Sequence, residues 1–170
     1  MKSKGNIVFL GMMGSGKTSI AKLVSKKLGL DFLDIDQNIE NKFGMTISKI
    51  FSDKGEDYFR KIEEKVTLDI LKKKKNVVAL GGGGFLNKNI RDEIIKNHSS
   101  FWLNNNPKIL INRIKNSHKR PLAFNATTNE LINLIEKRSN IYSKALYKVN
   151  CDNLTKIQIT KKILNILSKQ

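Results

Sequence analysis

The chain has 170 residues, 39% hydrophobic and 28% charged, which suits one domain with a buried core, and no apolar run approaches the roughly 20 residues that cross a bilayer. Its single cysteine, Cys151, excludes an internal disulfide and a metal site built from several cysteines. The net charge is +17, and only five of the 32 basic residues are arginine. The lysines are scattered along the chain without interleaved aromatic residues. This distribution favours a compositional bias toward lysine over nucleic-acid binding as the cause of the charge.

Short apolar or β-rich runs alternate with longer helical patterns along the chain. The short runs predict five strands, at 6–10, 31–36, 76–81, 99–104 and 147–151. The spacing of apolar residues predicts eight helices, at 17–28, 36–43, 46–51, 57–73, 88–97, 107–115, 129–144 and 155–168. This alternation predicts an α/β fold in three layers, a five-stranded parallel sheet with helices on both faces, in a single domain over residues 1–170. Ligands of such sheets bind at the carboxyl ends of the strands.

The first strand and the first helix are joined by GMMGSGKTS, residues 11–19. The pattern G-x-x-x-x-G-K-[ST] begins at Gly11 and, between a strand and a helix, predicts a phosphate-binding loop. Lys17 would reach the β- and γ-phosphates of a nucleotide, and the Thr18 hydroxyl would hold Mg²⁺. Cleavage of a leader after MKSKGNIVFLG would remove this loop, so we expect a cytoplasmic protein. The residues expected to contact the nucleotide here are Gly14, Ser15, Gly16, Lys17, Thr18 and Ser19.

Two aspartates close the second predicted strand, in the sequence DID. Asp34 and Asp36 are two residues apart, so in an extended strand they would point to the same face. At the carboxyl end of a strand, about 20 residues after a phosphate loop, they suit Mg²⁺ ligation and acceptance of a proton from a hydroxyl group. The alternative is that Asp36 only caps the following helix.

Four glycines, residues 81–84, close the third predicted strand. Because such a run costs conformational entropy, it favours a close approach of the backbone to a ligand over an exposed hinge. Its N–H groups would donate to an acceptor substrate. P-loop proteins that hydrolyse nucleotides often carry an acid after the corresponding strand, and VVALG has none, which argues against a motor, a helicase or a GTPase.

Where lysine is the usual cation, an arginine marks a place that needs the planar, two-pronged guanidinium. Arg60 has Glu63 and Glu64 at helical spacing to pair with it. The alternative for each arginine is an exposed ion pair worth roughly 0–1 kcal/mol, and Arg91 is assigned to that class.

Arg113 and Arg120 flank a polar segment that we expect to form a lid. The two histidines, His98 and His118, have no carboxylate or cysteine at ligand spacing. We therefore expect both to be surface residues.

In their order along the chain, these motifs resemble those of the shikimate kinase family, small P-loop kinases of the nucleoside-monophosphate-kinase-like group. The resemblance covers about residues 6–145. It rests on six elements, which are GMMGSGKTS, LDID, IFSDKGEDYFRKIEE, ALGGGG, KRPL and KRSNIY. It implies a P-loop kinase fold with a lid over about residues 112–126. It also implies ATP as co-substrate, Mg²⁺ as cofactor, shikimate as substrate, and a monomer without a nucleic-acid or membrane partner.

The resemblance implies roles for residues on the acceptor side. Asp36 would bind the acceptor hydroxyl and draw off its proton. Arg60, positioned by Glu63, and Arg138 would grip the shikimate carboxylate. The N–H of Gly82 would support the sugar-like ring.

On the nucleotide side, the resemblance implies that Asp34 joins Thr18 in holding Mg²⁺ and that Arg113 lies against the adenine. Arg120 would close from the lid onto the ATP phosphates. Two positions depart from the family pattern. The serine that often precedes L-G-G-G is Ala79 here, and NCDNLTKIQ lacks the Arg and Pro often found beside the adenine, so we assign no base contact there. The implied catalytic set is Lys17, Asp36 and Arg120.

The resemblance thus implies transfer of a phosphoryl group from ATP to the 3-hydroxyl of shikimate, in the chorismate route to aromatic amino acids. One alternative is a P-loop kinase for another small hydroxy acid such as gluconate. Another is a non-catalytic ATP-binding or nucleic-acid-binding module, against which the intact set Lys17, Thr18, Asp34 and Asp36 argues.

Overall fold

Five parallel strands form one sheet in the computed structural model of the protein, which describes residues 5–116 and 126–169. The strands are β1 Ile7–Leu10, β2 Asp31–Asp34, β3 Asn76–Ala79, β4 Ser99–Asn104 and β5 Tyr147–Asn150. Their order in the sheet is β2-β3-β1-β4-β5, and every neighbouring pair is parallel. The predicted sheet is therefore confirmed.

Eight α-helices connect and cover the strands in the described part of the chain. They are α1 Lys17–Leu28, α2 Ile35–Phe43, α3 Ile47–Lys54, α4 Glu56–Lys72, α5 Lys88–Asn97, α6 Pro107–Lys115, α7 Thr128–Tyr142 and α8 Lys156–Leu167. The predicted helices agree with these bounds to within three residues. Strands β2 and β3 end two residues earlier than predicted, at Asp34 and Ala79, which matters for the geometry of the site.

Local signals explain why several helices begin where they do. Thr127 and Glu130 form a capping box at the start of α7, and Thr155 and Gln158 form another at the start of α8. Pro107 occupies the first turn of α6, where its missing N–H removes no hydrogen bond. These helices are thus bounded by their own sequence as well as by packing.

Alternation along the strands separates two buried clusters, one on each face of the sheet. Val8 and Leu10 of β1 face one cluster, which includes apolar side chains of α2 to α7. Ile7 and Phe9 face the other, which includes side chains of α1 and α8. The fold therefore has the three layers expected from the sequence.

The strand order brings together, at the carboxyl ends of the strands, the three segments with predicted functional residues. Strand β1 lies between β3 and β4, and the order of strands reverses there. At such a reversal, the loops at the carboxyl ends of the strands leave a crevice for ligands. The phosphate-binding loop follows β1, the aspartates follow β2 and the glycines follow β3.

At the amino-terminal ends of the strands, His98 belongs to a buried side-chain network, although a surface position was expected. The ring of His98 is only 4% exposed, and its Nδ1 accepts a 2.9 Å hydrogen bond from the backbone N–H of Asn6. The Asn6 side chain donates to the carbonyl oxygens of Leu71 and Lys73 and accepts from the backbone N–H of Asn76. The prediction that His98 lies on the surface is wrong, because the residue is buried where its ring accepts from the Asn6 N–H.

Two expectations about the rest of the chain lie partly or wholly outside the described residues. Within the predicted lid, 112–126, residues 112–115 form the end of α6 and Asn116 is its C-cap. Residues 117–125, with His118 and Arg120, lie outside the described part of the chain. Over residues 5–116 and 126–169, none of the helices has the length and apolar character needed to span a membrane.

Candidate active site

The loop after β1 curls through glycines and points donors toward its own centre. Gly14 and Gly16 have φ values of 78° and 90°, a left-handed conformation that favours glycine. Helix α1 begins directly after Gly16 without a side-chain cap and without an acidic residue in its first turn. Its N-terminal N–H groups and the helix dipole therefore favour an anion.

Two side chains of this loop reinforce that preference. The Nζ of Lys17 donates 2.9 Å hydrogen bonds to the carbonyl oxygens of Gly11 and Met12, which hold the ammonium group over the loop. The Ser15 hydroxyl is buried and has no hydrogen-bond partner among the described residues. The arrangement fits a phosphate group, which would accept from such donors.

Thr18 and Asp34 join the phosphate-binding loop to the end of β2. The Thr18 hydroxyl donates a 2.8 Å hydrogen bond to Asp34 Oδ2. The other oxygen of Asp34 accepts from the backbone N–H of Gln37 and so caps α2. The residue that caps this helix is therefore Asp34, and the alternative that Asp36 is the cap is wrong.

The oxygens of Thr18 and Asp34 fit a magnesium ion. Mg²⁺ prefers oxygen ligands and usually takes only one or two carboxylates, with substrate phosphates and water in its other positions. In residues 5–116 and 126–169 no group of three or more His, Cys, Asp or Glu side chains could hold a metal ion by itself. A metal here would therefore depend on the nucleotide for most of its ligands.

Asp36 lies in the first turn of α2 and reaches the start of the glycine run. Because β2 ends at Asp34, Asp36 lies in a helix. The prediction that both aspartates point to the same face of one strand is therefore wrong. A Cβ placed on Gly81 would lie 2.6 Å from Asp36 Oδ1 and 2.7 Å from Glu63 Oε1. A side chain at Gly81 would displace both oxygens, so the carboxylates of α2 and α4 meet at the end of β3 where no side chain intervenes.

Residues 81–84 are all buried, so the alternative of an exposed hinge is wrong. A Cβ on Gly83 would overlap the guanidinium of Arg60. The absence of side chains thus lets charged groups from neighbouring helices reach the backbone of this run.

Arg60 on α4 is held by two carboxylates. Its Nη1 donates to Glu63 Oε2 at 2.6 Å, and its Nη2 donates to Glu56 Oε1 at 3.0 Å. Burial alone would lower the pKa of Arg60, but the charges and hydrogen bonds of Glu63 and Glu56 outweigh it and raise the pKa above its ordinary value. The predicted pairing with Glu63 is confirmed. Pairing with Glu64 is wrong, because that carboxylate accepts from the side chains of Asn87 and Asn89.

Arg138 and Tyr142 approach the same glycine run from α7. Arg138 Nη1 lies 3.5 Å from the carbonyl oxygen of Gly82 and 3.7 Å from Met12 Sδ. Its Nε is buried and has no hydrogen-bond partner among the described residues. The Tyr142 hydroxyl donates to the same Gly82 oxygen at 2.5 Å. A guanidinium with a buried donor is thus available to an anionic ligand.

The other two described arginines also contact backbone. Arg113 on α6 donates a 3.0 Å hydrogen bond to the carbonyl oxygen of Gly14, which places it over the phosphate-binding loop. Arg91 donates to the carbonyl oxygens of Phe85 and Leu86. Its assignment as an exposed ion pair is therefore wrong, since it stabilises the turn that follows the glycines.

Glu56 and Tyr142 lie within the sequence elements that carry the family resemblance, but no role was expected for either of them. Glu56 stands four residues before Arg60, a spacing that predicts a helical ion pair. Tyr142 stands four residues after Arg138, which puts both on one face of α7. The spacing therefore held a signal for each contact, but the partner of Tyr142, Gly82, is 60 residues away.

A P-loop for a polyphosphate beside half-buried arginines and an aspartate around a buried glycine run, at the switch point of a parallel sheet, defines the class of the protein as a P-loop kinase of a small anionic acceptor. The family model described as shikimate kinase matches residues 13–168 of the chain. The chain belongs to the shikimate kinase family.

Relatives and solved structures agree with this assignment. The shikimate kinase of Thermodesulfovibrio yellowstonii is 41% identical over 160 residues, which cover 94% of this chain and 92% of that protein. The shikimate kinase of Bacillus subtilis is 42% identical and covers 95% of this chain and 88% of its own length. The structure of shikimate kinase from Acinetobacter baumannii in complex with shikimate matches with a TM-score of 0.91 and 30% identity, over 98% of this chain and 94% of that one.

These findings confirm the resemblance and the fold class inferred from the motifs. The chain is an enzyme, and the activity of its family is the phosphorylation of shikimate with ATP as co-substrate.

Proposed function

We propose that the enzyme transfers the γ-phosphoryl group of ATP to the 3-hydroxyl of shikimate, and that the glycine run at the end of β3 forms the floor of the acceptor site. One observation carries this proposal. Three successive glycines are each approached by charged side chains, Gly82 by Arg138, Gly83 by Arg60, and Gly81 by the carboxylates of Asp36 and Glu63. The site thus combines a base for a hydroxyl with two guanidinium groups for a carboxylate.

Arg60 and Arg138 would bind the shikimate carboxylate. A guanidinium matches a carboxylate through two parallel hydrogen bonds, which fix orientation as well as charge. Glu63 accepts from one side of the Arg60 guanidinium, so the other N–H groups of Arg60 would donate to the substrate. An acceptor without a carboxylate would leave buried donors unpaired, which is the basis of strong discrimination.

Asp36 would accept a hydrogen bond from the 3-hydroxyl and take its proton as transfer proceeds. The N–H of Gly82 would hold the ring against the turn. Phosphoryl transfer needs little covalent help from a protein, and positioning in line with the γ-phosphate supplies most of the catalysis. Asp36 lies in the first turn of α2 beside Gly81 at the end of β3, so it can orient the hydroxyl toward the phosphate-binding loop.

On the nucleotide side, residues Gly14 to Ser19 would bind the phosphates, and Lys17 would turn from its own loop carbonyls to the phosphate oxygens. Thr18 and Asp34 would hold Mg²⁺, which when bound neutralises charge on the phosphates. Arg113 would lie against the adenine.

We also propose that residues 112–126 act as a lid that brings Arg120 onto the phosphates and excludes water, which would limit hydrolysis of ATP. We propose a single domain that works as a monomer in the cytoplasm, where ATP is found, without a nucleic-acid partner.

Coupled release of ADP from the wild-type enzyme tests the proposal. Shikimate, gluconate and nucleoside monophosphates are offered as acceptors at equal concentration with ATP and Mg²⁺. We expect release with shikimate far above the others. Preference for gluconate would favour a kinase of another hydroxy acid, and absence of release with every acceptor would favour a non-catalytic binding module.

A further inference from the structure

Residues 81–84, the glycine run, form a β-turn whose two central residues are Gly82 and Gly83. The N–H of Gly84 donates a 3.1 Å hydrogen bond to the carbonyl oxygen of Gly81, which closes the turn. Gly83, its third residue, has φ −100° and ψ −11°, the values of a type I turn. A type II turn requires a positive φ at this position, and glycine adopts positive φ as readily as negative. The glycines themselves therefore do not select between the two forms.

The two forms differ by the orientation of one peptide unit, between Gly82 and Gly83. Because this unit is planar and trans, its C=O and N–H point to opposite sides. A flip would turn the Gly82 carbonyl away from α7 and turn the Gly83 N–H toward it. The direction of the Gly83 N–H, beside the guanidinium of Arg60, thus depends on which form is populated.

Tyr142 contacts the group that distinguishes the two forms. Its hydroxyl donates a 2.5 Å hydrogen bond to the Gly82 carbonyl oxygen, whereas Arg138 Nη1 lies 3.5 Å from it. The Tyr142 side chain is 1% exposed, and its ring packs 6.1 Å from that of Trp102 on β4. The hydroxyl is therefore held in place by the core, at the last residue of α7.

We propose that Tyr142 is a positioning residue for the acceptor: its hydroxyl selects the type I form of the turn and thereby sets the direction of the Gly83 N–H, one of the backbone donors of the acceptor site. Tyr142 and Arg138 are four residues apart on one helix face, so the same helix places the carboxylate clamp and orients the turn. The inference rests on the proposed function, since it assigns Tyr142 a role in binding the acceptor of that reaction.

Tyr142→Phe tests this, because it removes the donor and keeps the ring against Trp102. Loss of the bond leaves a buried carbonyl without its partner and makes the flipped form competitive. We expect the KM for shikimate to rise about tenfold, the loss that an unpaired buried group typically produces. The KM for ATP should stay within about twofold of the wild-type value, since the hydrogen bond that the variant loses goes to Gly82 in the acceptor site.

Two variants provide matched controls. Tyr147→Phe removes the hydroxyl of a tyrosine on β5, whose ring stacks on Phe101. Trp102→Phe loosens the packing around Tyr142 and keeps its hydroxyl. Tyr147→Phe should leave the KM for shikimate unchanged, and Trp102→Phe should raise it much less than Tyr142→Phe although it lowers the Tm at least as much. This separates loss of the hydroxyl from loss of stability.

Nitrogen-15 relaxation dispersion of labelled glycine amides gives a second readout. The wild-type enzyme should show sharp Gly82 and Gly83 signals, and Tyr142→Phe should broaden them through exchange between turn forms. Broadened signals in the wild-type enzyme would overturn the proposal even if the variant failed to fold. An unchanged KM for shikimate, or equal rises in both KM values, would also overturn it. Absence of shikimate-dependent ADP release by the wild-type enzyme would instead contradict the proposed function.

Discussion

Arg60 Nη1 donates a 2.6 Å hydrogen bond to Oε2 of Glu63, whose side chain is 2% exposed. Glu56 holds the other side of the same guanidinium, and it is largely exposed. The buried carboxylate therefore sets the direction of Arg60, while the exposed one can yield to a ligand. This relation makes Glu63 a determinant of acceptor binding.

Glu63→Gln should raise the KM for shikimate by about tenfold and destabilise the enzyme by about 1.5–3 kcal/mol, the value of a hydrogen bond to a charged group. The amide keeps the shape but lacks the charge that orients Arg60. Steady-state kinetics and urea unfolding measure the two effects. Glu64→Gln is the matched control, since Glu64 binds Asn87 and Asn89. Equal kinetics of the two variants would remove Glu63 from this role.

Arg138→Lys should weaken the use of shikimate by about tenfold or more, because an ammonium group cannot reproduce the two-pronged hydrogen bonding of a guanidinium. The KM for shikimate and kcat/KM measure this loss. Lys137→Arg, an exposed change on the same helix, serves as control. Near-normal kinetics of Arg138→Lys would exclude Arg138 from the clamp.

Asp36→Asn should lower kcat by about 10²–10⁴-fold, the usual contribution of a general base, and should leave ATP binding largely intact. Turnover is measured by ADP release and ATP binding by titration calorimetry. Asp31→Asn, at the exposed start of β2, is the control. If Asp36→Asn kept most of its activity, another group would have to accept the hydroxyl proton.

Asp34→Asn should raise the Mg²⁺ concentration for half-maximal activity by about tenfold, within the range seen when groups around a metal are changed. Asparagine also caps helices, so the side chain at position 34 should still accept from the Gln37 N–H. Circular dichroism should therefore show an unchanged helix content. An unchanged Mg²⁺ requirement would mean that Thr18 and the phosphates hold the ion without Asp34.

His98 should make the stability of the enzyme depend on pH. Burial lowers the pKa of His98 below its ordinary value of 6.5, although Glu93 opposes the shift and Lys74 adds to it. Protonation would also destroy the acceptor at Nδ1 that binds the N–H of Asn6. Since the unfolded chain takes up this proton more readily, the stabilisation is present above pH ~6.5 and is lost as pH falls below it.

The free energy of unfolding should therefore decrease from pH 6.5 toward pH 5.5, by at most about 1.4 kcal/mol per pH unit for this residue. His98→Gln keeps an acceptor and should flatten that part of the profile in urea unfolding. His118→Gln is the control with the same chemical change. A decline of equal slope in the wild-type enzyme and His98→Gln would assign the effect to other groups.

The parts of the site that follow from short sequence separation were predictable. The loop from Gly11, the aspartates after β2 and the glycines after β3 each lie at a strand end. The parallel order then brings those ends together, and helical spacing identified the pair of Arg60 with Glu63. The bounds of α1, α5 and α6 were likewise set by local signals.

The rest depended on contacts between distant residues. His98 is 92 residues from the Asn6 amide that it accepts from, so nothing near it in sequence marked it as buried. Asp34 became the cap of α2 because β2 ends two residues earlier than its apolar pattern suggested. The contact of Tyr142 with Gly82 exists only once α7 packs beside the turn.

The phosphorylated position of the product tests the central claim most directly. Shikimate is converted with ATP by the wild-type enzyme, and correlated phosphorus-31 and proton NMR identifies the carbon that bears the new ester. We expect one product, with phosphate on the 3-hydroxyl, formed in equal amount to ADP. Phosphate on another hydroxyl, or ADP formed with free phosphate and no ester, would contradict it.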